Sequence, residues 1–189
     1  LHLVNLHFYV GTVVLALAAV VAVVMGVVGS RLRNVQVLLT SLAFLSLAFV
    51  FGMHTFSTPG FVLQMNRIVG VTVQLSVTLT ALWLFASSLS SSNGFIKGLS
   101  RFHAFLLPVW TGLLVGGGMI AFTNPDLAAL IPADSDPLKG LLGFVTLELF
   151  VLIAWRYWQS YSYTRAPFQL SIVYGAGWLA VAQIIILTS

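Results

Sequence analysis

The residues that could do chemistry are few: four histidines, four Asp/Glu, eight Lys/Arg and no cysteine in 189 residues. The most informative of them is His54. It sits near the end of an apolar run and is followed by Ser57-Thr58-Pro59-Gly60. Pro59 cannot continue a helix, because it lacks an N–H and its ring clashes with the preceding turn. Thr58 can cap a new helix with Pro59 in its first position. His54 is thereby expected about five residues, or ~7 Å, below a fixed helix end, inside the hydrocarbon edge of a membrane. His7 lies near the start of the preceding apolar segment. Antiparallel packing of the two segments across a short loop predicts both histidines at one depth. Neutral imidazole is the commonest protein ligand for metals and haem iron. Two such rings on adjacent helices could hold a b-type haem, and with His2 they could instead hold copper or zinc. His2 and His7 are five apart, which does not place them on one helical face. The plainer reading is that the rings hydrogen-bond to neighbours near the interface. His103, beside Arg101 at the start of a later helix, reads as an interfacial side chain.

Other polar residues fall inside apolar runs. Glu148 lies eleven residues after Pro137, near the middle of a span, where a bare carboxylate is expensive. It is expected among helices, neutralised or paired. Arg67, with Gln64 and Asn66 before it, either snorkels outward or turns inward to meet Glu148, a haem propionate or another anion. Gln74, Ser76, Thr78 and Thr80, with Gln183 later, could form a polar seam, although such side chains more often bond a helix carbonyl. Gly112 and Gly116, extended by Gly117 and Gly118, make a G-x-x-x-G pattern that favours close helix contact. That contact is expected within the chain, with a homodimer or a larger membrane complex as the alternative. Gly175 and Gly177 read the same way.

The elements that must carry these residues are transmembrane helices. The chain is 59% hydrophobic and 6% charged, too little polar surface for a water-soluble globule. Its apolar runs approach or exceed the ~20 residues needed to cross hydrocarbon. The expectation is an all-α, polytopic bundle forming one domain, 1–189, embedded in the lipid bilayer. Its spans are expected near 4–28, 35–57, 61–88, 104–122, 138–159 and 168–187. The connections around Arg31 and Arg33, around Lys97 and Arg101, and from Arg156 to Arg165 hold six of the eight Lys/Arg. The last of these carries an aromatic belt of Trp155, Tyr157, Trp158, Tyr161 and Tyr163. Asp126, Asp134 and Asp136 gather in another connection. By the positive-inside rule the basic connections face the cytoplasm and both ends of the chain lie outside. A cytoplasmic effector following Ser189 would then need a seventh helix. The start at Leu1, without methionine, and the apolar end fit one domain of a longer protein. No basic stripe suggests nucleic acid. Neither H-E-x-x-H, G-x-S-x-G nor a P-loop occurs, so the chain by itself is not expected to be an enzyme.

The stretch from Leu39 through His54 to Thr58-Pro59-Gly60 resembles the second helix of bacterial membrane-embedded sensor modules. Those modules precede nucleotide cyclase, diguanylate cyclase or histidine kinase domains. The resemblance implies a sensory input domain in the bacterial cytoplasmic membrane, with His54 matching the family's histidine and Thr58, Pro59 and Gly60 its turn. From the residues alone two other readings stand beside it: a small haem-carrying or structural subunit of a respiratory or photosynthetic complex, and a transport-related protein.

Overall fold

In the computed structural model the described residues are 2–57, 68–124 and 137–188, with the side chains of 2–7, 68–71, 138 and 139 outside the description. Among the described residues there are seven helices and no strand: α1 (His2–Arg31), α2 (Val35–Phe56), α3 (Ile68–Ser87), α4 (Gly94–Ser100), α5 (His103–Thr123), α6 (Pro137–Thr164) and α7 (Pro167–Thr188). Five of these (α1, α2, α5, α6 and α7) are long and apolar enough to cross a membrane. The chain is an all-α polytopic membrane bundle, as its composition predicts. Neighbours follow the order α1, α2, α3, α6, α7, an arc with α5 laid against α2.

The α1–α2 hairpin is closed by local chemistry. Arg33 takes a left-handed backbone conformation (φ 50°), and the next N–H, of Asn34, bonds back to the Gly29 carbonyl at 2.9 Å. This is a Schellman ending, with arginine in the place glycine usually holds. Asn34 then caps α2, its Oδ1 accepting from the Val37 N–H at 3.2 Å. The helices beyond this turn touch through small residues. Gly11, Ala18, Ala22, Gly26 and Gly29 are buried in α1 at spacings of seven, four, four and three. A Cβ at Gly29 would stand 2.8 Å from the backbone nitrogen of Leu38. So close an approach lets Ser41 Oγ donate directly to the Ala22 carbonyl at 2.7 Å. With lipid as apolar as leucine, contact of this kind is what holds membrane helices together.

The glycines singled out from sequence have a different fate. A Cβ at Gly112, Gly116, Gly117, Gly175 or Gly177 would meet nothing within 4 Å. Only Gly118 packs tightly, under the Phe49 ring. The expected intrachain use of the Gly112/Gly116 pair is therefore overturned. The buried face of α5 passes through Leu114 and Gly118, and at 100° per residue Gly112 and Gly116 fall on the opposite side.

Three boundaries also differ from expectation. α2 ends at Phe56, and the Ser57 N–H bonds back to Met53. His54 is therefore in the last turn rather than five residues below it. α6 continues to Thr164, which leaves only Arg165 and Ala166 before α7. The aromatic belt and Arg156 thus belong to a helix, not a connection. The serine-rich third connection holds the short α4, capped by Asn93 and anchored by buried Ile96 against Val35, Leu39, Leu42 and Ala86.

Candidate polar site within the bundle

α3 and α6 run in the same direction, and their facing sides carry the hydroxyls and amides of the core. Gln74, Thr78, Thr146 and Gln183 are all buried. Gln183 Nε2 of α7 donates to Gln74 Oε1 of α3 at 3.2 Å. Gln74 Nε2 reaches Thr78 Oγ1 and Thr146 Oγ1, each at 3.4 Å. The two threonine hydroxyls of α3 and α6 lie 2.9 Å apart. Each can also donate along its own helix, Thr78 to the Gln74 carbonyl and Thr146 to the Leu142 carbonyl, both at 2.8 Å. A hydroxyl has one proton, so one threonine donates across the helix pair while the other donates back to its own helix. Two such arrangements exist, and both leave every hydroxyl bonded.

Gly143 makes room for this cluster. A Cβ there would stand 2.9 Å from Gln183 Nε2 and 2.8 Å from Leu187 Cδ2. Its absence lets α7 come close enough for Gln183 to reach α3. Around the cluster, Ser76 and Thr80 are buried but turn to carbonyls: Ser76 to Val73 at 2.7 Å, Thr80 to Ser76 at 2.7 Å and to Ala43 at 3.3 Å.

A second polar group joins the same two helices at the basic end. Ser87 Oγ and Tyr157 OH are 2.7 Å apart. The Arg156 guanidinium donates to the Ser88 carbonyl from Nε at 3.3 Å and from Nη2 at 3.2 Å, and to the Ser88 hydroxyl at 3.0 Å. Gln36 of α2 donates to the Leu89 carbonyl at 2.6 Å. These two carbonyls lie just past the end of α3, where the helix supplies no partner. They are bonded from α2 and α6, which sets a cation near the negative end of the α3 dipole.

Of the residues expected to form a site, Gln74 and Glu148 have described positions on α3 and α6 that are not brought together. Gln74 lies at the centre of the cluster. Glu148 does not: it is exposed on α6. The buried side of that helix runs through Gly143, Thr146, Phe150, Ile153 and Tyr157. Two residues beyond Thr146, at 100° each, Glu148 points the opposite way. The expectation that it is buried among helices is corrected on that ground. Arg67, its expected partner, lies outside the described residues, as do the side chains of His2 and His7. His54 is half-buried, its ring stacked on Phe51 with centroids 5.7 Å apart.

The helix register bears on the histidine pair. The ideal Cβ of Gly11 meets Thr55 Oγ1 at 2.7 Å, which sets α1 against α2 at that level. Counting along the antiparallel pair, the backbone of His7 falls about five residues, ~7 Å, beyond the level of His54. Among the described residues no three His, Cys, Asp or Glu side chains gather as metal ligands. His103, half-buried at the start of α5, has Nδ1 3.2 Å from the Ser100 carbonyl.

Sequence reasoning named Gln74, Thr78 and Gln183 but not Thr146 or Gly143. Their signal is a small residue and a polar one, Gly143 and Thr146, three apart on the face that α6 buries together with Phe150. It becomes visible only once the phase of that helix is known. No family model, curated protein or solved structure matches the chain.

Proposed function

We propose that this chain is a membrane-embedded input domain of a bacterial signalling protein, lying in the cytoplasmic membrane with its basic end inside. The observation that carries the reading is the pair of polar contacts joining parallel helices α3 and α6. One is the Gln74–Thr78–Thr146–Gln183 cluster, and the other is Ser87–Tyr157 with Arg156–Ser88 at the basic end. They lie about ten residues apart, ~15 Å along the helices. A shift of α6 or α7 at the first contact is delivered by a rigid helix to the second. Buried polar contacts suit this task because they have discrete bonded arrangements, whereas apolar packing of similar area is less directional. The resemblance of the stretch from Leu39 to Gly60 to sensor modules points the same way. The concentration of basic residues at one end supports the orientation.

The test uses a spin label or fluorophore on a single cysteine at Ser92, in the exposed loop just past the basic-end contact, with the chain in bilayers. Thr146→Val removes the hydroxyl shared by α3 and α6 without changing side-chain shape much. It is expected to change probe mobility at Ser92 severalfold. An unchanged probe would show that the two contacts are uncoupled, and the input-domain reading would fall.

A further inference from the structure

Glu148 stands on the side of its helix away from the polar groups described in this bundle. It is exposed, and no hydrogen bond or ion pair reaches its carboxyl among the described residues. It also stands in the middle of an apolar face. Leu141, Val145, Leu152 and Trp155 are all exposed around it, 59%, 44%, 44% and 61% respectively. Glu148 is seven residues from Leu141 and seven from Trp155, ~10 Å from each end of that face. Lipid tails suit the apolar members of the stripe as well as protein does, but they offer the carboxyl nothing.

Leu141, Val145, Glu148, Leu152, Trp155 and Gln159 follow one another at spacings of four and three, all exposed. That alternation is the seam of a left-handed helix pair. We propose that this stripe of α6 is the interface with a second copy of the chain, with the two Glu148 carboxyls meeting across a two-fold axis normal to the membrane. Two copies share one orientation in the membrane, so such an axis sets each seam residue opposite itself at its own depth. A carboxyl group can donate and accept, and so satisfies its own image. Gln159, the other polar member of the seam, has the same property. The interface is separate from the outward face of α5, where Gly112 and Gly116 lie. It depends on the placement of Glu148 and not on the signalling role.

The chain has no cysteine, so single cysteines report contacts directly. In bilayers at low protein-to-lipid ratio, Val145→Cys and Leu152→Cys are expected to form disulfide-linked dimers on oxidation with copper phenanthroline. Gly112→Cys is expected to stay monomeric. Adding Glu148→Leu to Leu152→Cys should weaken dimerisation about tenfold, or about 1.4 kcal/mol, as expected for an interhelical polar contact in a membrane. Glu148→Gln should keep the dimer, because an amide is also its own complement. Since Glu148 is exposed and no hydrogen bond or ion pair reaches it among the described residues, the unfolding curve of Glu148→Leu should match that of the parent and exclude misfolding. Monomers throughout, linkage at Gly112 in place of 145 and 152, or equal linkage with and without Glu148→Leu would each overturn the proposal.

Discussion

At Gly29 two helix backbones lie close enough that one methyl group decides the fit. A Cβ would meet the Leu38 nitrogen at 2.8 Å and the Leu38 side chain at 2.9 Å. Backbone cannot swing aside as the end of a side chain can. Gly29→Ala is therefore expected to lower stability by about 1–3 kcal/mol, the usual cost of overpacking. Gly112→Ala, with open space around it, should be neutral or slightly stabilising, because alanine favours helix over glycine by up to ~1 kcal/mol. Unfolding of both variants in the same bilayer mimetic checks the contrast, and equal effects would contradict it. Glu148 teaches a related lesson. Its type and mid-span position are plain in the sequence, and so is its cost in lipid. Its direction depends on helix phase, and the fifth span is apolar nearly all round, so no stripe in the sequence marks the inner side.

At the level of elements, the sequence reveals what length and hydropathy control. Five of the expected spans overlap helices long and apolar enough to cross a membrane, and the third is described as a helix over Ile68–Ser87. The start of α2 was legible because Asn34 follows a basic turn and precedes an apolar run. The failures share one cause. Close packing in α1 comes from Gly11, Ala18, Ala22, Gly26 and Gly29, a pattern scattered among valines and alanines. The denser glycine group on α5 was easier to see and faces outward apart from Gly118. Small residues show where helices can approach, but not where a partner is present. The α6–α7 connection was misjudged for another reason. Tyr and Trp clusters with Arg156 resemble an interfacial loop, whereas Tyr157 bonds Ser87 of α3 and Arg156 bonds Ser88 just past it. The α4 helix is hard to see in the sequence because serine and Asn93-Gly94 signal turns, while Ile96 and half-buried Leu99 are what anchor it. Of the polar site, the α3 and α7 members were legible as polar residues in apolar runs. Thr146 passed unremarked, since a lone threonine in a span usually bonds its own helix.

For the whole molecule, every basic connection falls at one end of the arc. Cysteines placed at Ser92 and Asn124, both exposed and at opposite ends of the bundle, should react with an impermeant thiol reagent from opposite sides of sealed vesicles. Labelling from one side would contradict the topology. Within the arc α7 packs on α6, and its polar tie to α3 is the bond from Gln183 to Gln74. This bond and its threonine neighbours join the outermost helix to the core of the bundle. A double-mutant cycle on Gln74→Leu and Gln183→Leu, measured by reversible unfolding in bilayers or bicelles, tests it most directly. Each single change should destabilise, because it leaves the other amide short of a partner, by about 1–3 kcal/mol. The double variant should cost less than the sum, with a coupling of about 0.6–2 kcal/mol as for hydrogen bonds between membrane helices. Strictly additive effects would show that the two amides do not meet, and would contradict the account.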